Sequence, residues 1–306
     1  MIAYIIRRVL MLIPTLLAVT VGSFLILHLI PGDPARVMAG LEASEEIVES
    51  LRHRLGLDKP IYVQYAIFLK NISKLNFGES IRSQDAVIKQ ILPRFRNTLI
   101  LSLVSISIST LIGILAGVLA SVRQNTITDY TITTLVLLGI SAPSFWLGLL
   151  LILFFSVYLG IFPAGGMLEI KSIVLPAITL AGGASAMTAR MMRSSMLETL
   201  RMDYIKAARA KGQSEYKVIF KHALKNALMP TITIVGIQFG YLMGGSVLVE
   251  TVFSWPGLGW LTVDAIFAKD YPVVQACVIF FAFSFVFVNL AVDIVYAYIS
   301  PKMTYD

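Results

Sequence analysis

Few residues in this chain can do chemistry, and their spacing excludes most of it. Cys277 is the single cysteine and lies in an apolar run. One thiol makes no internal disulfide, and without a CxxC pair a cysteine-based metal or redox site is excluded. His28, His53 and His222 are far apart and form no HExxH or similar ligand pair. Only His28 lies within an apolar stretch, where packing suits it better than a metal. No GxxxxGK(S/T) phosphate loop occurs, and Lys171-Ser172 is a lone echo with Ile170 where the second glycine belongs. The chain is therefore expected to hold no metal, no nucleotide and no catalytic residue. Glu250 and Asp293 sit at the ends of apolar stretches and no acid sits at a centre. That argues against a proton- or sodium-driven secondary transporter, which needs such a group at membrane depth.

What remains is recognition by shape and charge. From Arg190 to Lys225 the chain carries nine basic and three acidic residues, six of its seven surplus positive charges. Within it, Asp203 is placed to cap a helix running to about Ala210, and Gly212 to end that helix in a left-handed conformation. On such a helix Tyr204, Ala208 and Gly212 form an i, i+4, i+8 stripe with Ala207 beside it, while Lys206, Arg209 and Lys211 flank it. A small, smooth face with basic edges suits either an anionic lipid surface or a cleft in a cytoplasmic protein. A nucleic acid is excluded as partner because the segment is short and tied to apolar stretches. A second stripe, Gly236, Gly240 and Gly244, lets a helix backbone approach a neighbour closely or leaves a translocation wall unblocked. Gly113 and Gly117 form a shorter pair, and Ser185, in a run of small residues, is a further candidate for the translocation pathway. Glu250, Trp255, Pro256 and Gly257 are candidates for an outer gate or a contact with an external protein.

The elements that position these residues are membrane spans. Hydrophobic residues make up 57% of the 306-residue chain and charged residues 14%, against roughly a quarter charged in soluble domains. Mean hydropathy is +0.80. Six stretches are long enough to cross a bilayer: 9–32, 97–122, 130–168, 172–189, 226–249 and 271–292. The first follows Arg7 and Arg8 and reads as a retained span, too long for a signal-peptide core. The third is read as one helix over about 134–159, kinked near Pro143 and closed by Gly160 and Pro163. One span there puts the basic segment on the same side as Arg7 and Arg8, as the positive-inside rule requires. Both termini are then cytoplasmic. The expected organisation is a first transmembrane helix (1–30), an extracytoplasmic insert (31–96), and a five-helix core (97–306) containing the cytoplasmic segment 190–225. In the insert a helix is expected over 43–55, capped by Ser44 with Glu45 and Glu46 in its first turn, and another over 62–75.

The basic segment resembles the "EAA" loop of binding-protein-dependent ABC importer permeases. Lys206-Ala207-Ala208 stands at EAA and Gly212 at the motif's glycine; the family's Glu, Ile and Pro are replaced by Lys206, His222 and Lys225. ARAKG with KHALKNALMP resembles the dipeptide/oligopeptide/nickel branch. So do LIPGDPA (Leu29 to Ala35), LGLDKPIYVQY (Leu55 to Tyr65), NFGESI (Asn76 to Ile81), PSFWLGLLLI (Pro143 to Ile152), ETVFSWPGLG (Glu250 to Gly259) and KDYPVVQ (Lys269 to Gln275). The long insert resembles that of the "B" permease. The resemblance implies an all-helical permease of the type I importer class, in the cytoplasmic (inner) membrane, pairing with a second homologous permease. It also implies two cytoplasmic ATPases carrying ATP and Mg2+, an extracytoplasmic binding protein, and a coupling role for Asp203, Tyr204, Ala207, Ala208, Arg209, Lys211 and Gly212. Peptides are the expected cargo. Nickel or a nickel chelate is the alternative within the branch, and a channel or secondary transporter the alternative outside it.

Overall fold

The structure is a computed structural model that describes residues 2–29, 33–39 and 43–299. The expected cytoplasmic tail from Ser300 and the side chain of His28 lie outside the described residues. The described chain is helical: α1 (Ile2–Leu29), α2 (Pro34–Ala39), α3 (Glu45–Leu55), α4 (Ile61–Ser73), α5 (Val87–Val122), α6 (Ile127–Ser141), α7 (Ser144–Leu151), α8 (Val174–Leu200), α9 (Asp203–Ala210), α10 (Glu215–Lys217), α11 (Leu224–Gly245), α12 (Val247–Val252), α13 (Leu258–Phe267) and α14 (Tyr271–Ile299). π-helical turns continue α7 through Ile152–Tyr158 and join α10 to α11 through Val218–Ala223.

Among the described residues, four helical stretches are long and apolar enough to cross a bilayer: Val87–Val122, Ile170–Leu200, Glu215–Gly244 and Tyr271–Ile294. A shorter apolar stretch, Leu10–Leu25, lies within α1. The third expected span is not one kinked helix. Its two arms, Ile127–Ser141 and Ser144–Tyr158, have the apolarity of one crossing together but are bent by 104°. Pro143 supplies the cause, since it lacks an amide donor and disfavours helical backbone in the residue before it. Ala142 is accordingly extended, at ψ 128°. The fourth span also exceeds its expected end at Ala189, because α8 runs to Leu200. The first part of the basic segment is thus a continuation of a membrane helix rather than a loop.

The chain divides into two compact units. One comprises Leu99–Trp255 with the end of α14 from Phe287; the other comprises Ile2–Thr98 and Pro256–Val286. In the first unit, one core gathers Leu101, Leu175, Leu180, Leu242, Val249, Phe253 and Trp255. A second gathers Val118, Met192, Met196, Ile205, Ala208, Val218, Ala223 and Ala227. The Gly113 and Gly117 pair lets α5 lie directly on α8: a Cβ on Gly113 would meet Thr188 Cβ at 2.5 Å, and one on Gly117 would meet the Ala189 carbonyl at 2.7 Å.

In the second unit, Val87, Ile91, Leu258, Leu261, Val273 and Cys277 form the core. Ser44 caps α3 as its position suggests, its hydroxyl accepting from the Ile47 amide at 3.5 Å, and Glu45 and Glu46 occupy the first turn. Asp270 is buried and clasps the segment before α5, accepting from the Ser80 hydroxyl and from the amides of Ile81 (3.2 Å) and Arg82 (3.4 Å).

Candidate functional site

The helix foreseen in the basic segment is α9, and its two ends differ from each other in kind. Its N-cap is Met202, extended at ψ 150°, not Asp203. Asp203 lies one residue further in, where its carboxylate accepts from Lys206 Nζ at 2.8 Å instead of from an orphan amide. That hydrogen bond from Lys206 holds the Asp203 carboxyl below its usual range. At the other end Gly212 takes φ +73°, its amide donates to the Arg209 carbonyl, and the Gln213 amide donates to the Ala208 carbonyl. This is a Schellman cap, and glycine adopts its left-handed residue without the penalty of a Cβ.

The orientation of α9 corrects the expected stripe. Ile205 and Ala208, three residues apart, are both buried in the core with Met192 and Met196 of α8 and with Val218, Ala223 and Ala227. Ala208 therefore faces the chain's own interior. Ala207 and Ala210 are the small residues left exposed, with Asp203, Lys206 and Lys211 around them. The flanks are tied down. Asn226 Nδ2 donates to the Tyr204 hydroxyl at 2.6 Å, Arg209 donates to Glu215 at 2.8 and 3.3 Å, and Gln213 meets the His222 ring at 2.7 Å. The result is a short rigid helix whose inner face is bolted to two longer ones and whose outer face is small-surfaced.

A charged pair that the sequence did not disclose joins α6 to α8. Arg193 donates from Nε and Nη2 to the two carboxylate oxygens of Asp129, each at 2.7 Å. The Asp129 side chain is 3% exposed and also accepts from the Asn125 amide at 3.0 Å. Two-pronged guanidinium–carboxylate geometry is both strong and directional. The signal present in the sequence was an arginine within reach of an apolar span; its partner, 64 residues earlier, carried none.

The other expected residues separate. Gly236 is a packing glycine, since a Cβ there would meet Val292 of α14 at 2.4 Å, whereas a Cβ on Gly244 would meet nothing within 4 Å. Gly240 is buried. The Ser185 hydroxyl donates to the Gly182 carbonyl of its own helix at 2.8 Å. Glu250 is fully buried and accepts from the Ser246 hydroxyl at 2.9 Å; Trp255 is 1% exposed. Neither offers a surface for contact with an external protein, one of the two roles expected of them. Pro256 accepts from Asn97 at 2.8 Å through its carbonyl, and Gly257 is the buried N-cap of α13.

Comparison with known proteins agrees with this architecture. Residues 109–305 match the family described as binding-protein-dependent transport system inner membrane component, and residues 1–102 match that system's N-terminal membrane component. The chain is 45% identical over 305 residues to the glutathione transport system permease protein GsiC of Escherichia coli (strain K12), covering all of both chains. The same holds for GsiC of Salmonella choleraesuis, at 45% over 305 residues. Among solved structures, the inward-facing MetNI methionine ABC transporter matches with TM-score 0.59 and 23% identity, over 69% of this chain and 97% of that one. An amino acid ABC transporter with histidines matches with TM-score 0.53 and 16% identity, over 70% and 94%. At those identities the structural likeness speaks for the fold. The chain therefore belongs to the inner-membrane components of binding-protein-dependent transport systems: it is a multi-pass ABC importer permease subunit of the dipeptide/oligopeptide/nickel branch, and separate subunits hydrolyse the ATP.

Proposed function

We propose that this permease imports short peptides, and that α9 is the helix through which the ATPases drive it. The observation that carries the coupling role is the orientation of α9: Ile205 and Ala208 anchored inward, Ala207 and Ala210 outward. An exposed alanine face lets a helix seat deeply in a partner's cleft, and the anchored face passes any displacement on. Because Ile205 and Ala208 share one core with α8 and with the start of α11, a push on α9 moves both. The Asp129–Arg193 pair makes α6 follow α8. ATP-driven closure of the ATPase dimer would then reopen the spans to the other side by rigid-body movement.

The peptide assignment draws on the full-length relatives named for glutathione, a tripeptide. In this reading the chain is the long-insert member of a permease pair. Two ATPases bind ATP and Mg2+, an extracytoplasmic protein delivers cargo to residues 31–96, and both termini are cytoplasmic as the basic segment requires. The test uses the complete importer in proteoliposomes, comparing ATP-dependent uptake of labelled di- and tripeptides with that of nickel. Peptide uptake abolished by Ala207→Trp, with membrane insertion intact, is the expected result. Normal uptake in that variant contradicts the coupling role, and nickel uptake without peptide uptake contradicts the substrate.

A further inference from the structure

A cavity of about 590 Å³ opens in the first unit between α6 and α8, within the range of about 300–1,000 Å³ typical of small-ligand sites. Its floor is apolar, with Ile132, Val136 and Leu197 among the lining residues. Apart from Thr133 of α6, its polar lining is one face of α8: Arg190, Arg193, Ser194, Glu198 and Arg201 recur at helical spacing. Arg193 is neutralised by Asp129. Among the described residues, Arg190, Arg201 and Glu198 have no ion pair. Arg190 stands ten residues before the end of α8 at Leu200, about 15 Å up the helix axis at the usual rise per residue. Arg190, Glu198 and Arg201 are all exposed, so their charged ends are open to a ligand entering the cavity.

We infer that this cavity is a cargo site for short peptides with two carboxylates and one ammonium. Two free guanidiniums match the two carboxylates, and the Glu198 carboxylate matches the ammonium. The surplus of one positive charge matches the net negative charge of such a peptide, and the apolar floor accepts its hydrocarbon. A phosphate headgroup fits the lining less well, because Glu198 repels it. The inference rests on the peptide reading above and narrows it to an anionic class, to which glutathione belongs chemically.

The test is competition in proteoliposomes holding the complete importer, with labelled glutathione and labelled alanyl-alanine, each variant normalised to wild type. Arg190→Gln is expected to lower glutathione uptake about tenfold, as the loss of one charge-assisted hydrogen bond implies. Alanyl-alanine, whose single carboxylate still has Arg201, should fall by no more than about twofold. Arg190→Lys should restore most of the glutathione uptake, and Glu198→Gln should lower uptake of both peptides. ATPase activity stimulated by the loaded binding protein verifies that each variant folds. Equal loss of both peptides in Arg190→Gln, or no loss of either, overturns the site. So does a loss that follows removal of anionic phospholipid from the vesicles rather than the choice of peptide. If the wild-type importer carries neither peptide, the peptide reading fails first and the site with it.

Discussion

Asp129 and Arg193 show what single residues contribute and what a sequence conceals. Each ion alone is expensive to remove from water, and each is tolerable only because the other is present. Asp129→Ala should therefore destabilise the permease by leaving Arg193 uncompensated, by less than the roughly 3–5 kcal/mol of a fully buried pair because the Arg193 side chain is 32% exposed. Adding Arg193→Met should recover a large part of that loss, read as the melting temperature of the purified complex in detergent. The cap at Gly212 was legible because its chemistry is local: a glycine after a basic last turn. So was Ser44 before Glu45 and Glu46. The inward turn of Ala208 was not read from small residues, which lack a strong burial preference. Ile205, the one large apolar residue among them, held that information.

At the level of elements, the spans follow from apolar length, while their breaks and close approaches follow from proline and glycine. Pro143 divides one expected span into two arms bent by 104°, a larger effect than a kink because Ala142 leaves the helical region altogether. Composition located that proline without giving the angle. The α5–α8 contact depends on Gly113 and Gly117, whose neighbours include backbone that cannot yield. Gly117→Leu should cost about 1–3 kcal/mol or more through overpacking, visible as loss of folded protein in fluorescence-detected size exclusion. Gly244→Ala, with open space around its Cβ position, should leave the same profile unchanged. The expected glycine stripe thus contains residues with unlike roles, since Gly236 packs and Gly244 does not.

For the whole molecule, the proposed orientation rests on the surplus charge of the basic segment. With native Cys277 buried, single cysteines introduced at exposed sites report sidedness against a low background. Ser214→Cys should react with an impermeant maleimide only from the cytoplasmic side, and Lys74→Cys only from outside. The reverse pattern would invert the topology. In that proposed orientation α9 would lie on the side of the ATPases, and the same basic stretch includes the Arg190–Arg201 face of α8.

The coupling role of α9 is tested most directly by photocrosslinking from its surface. A benzophenone amino acid at Ala207 should form an adduct with the ATPase in the transport-competent complex, and the same group at Ala210 should do so too. Adducts only with lipid, or none with the ATPase while uptake proceeds, would contradict the docking of this helix.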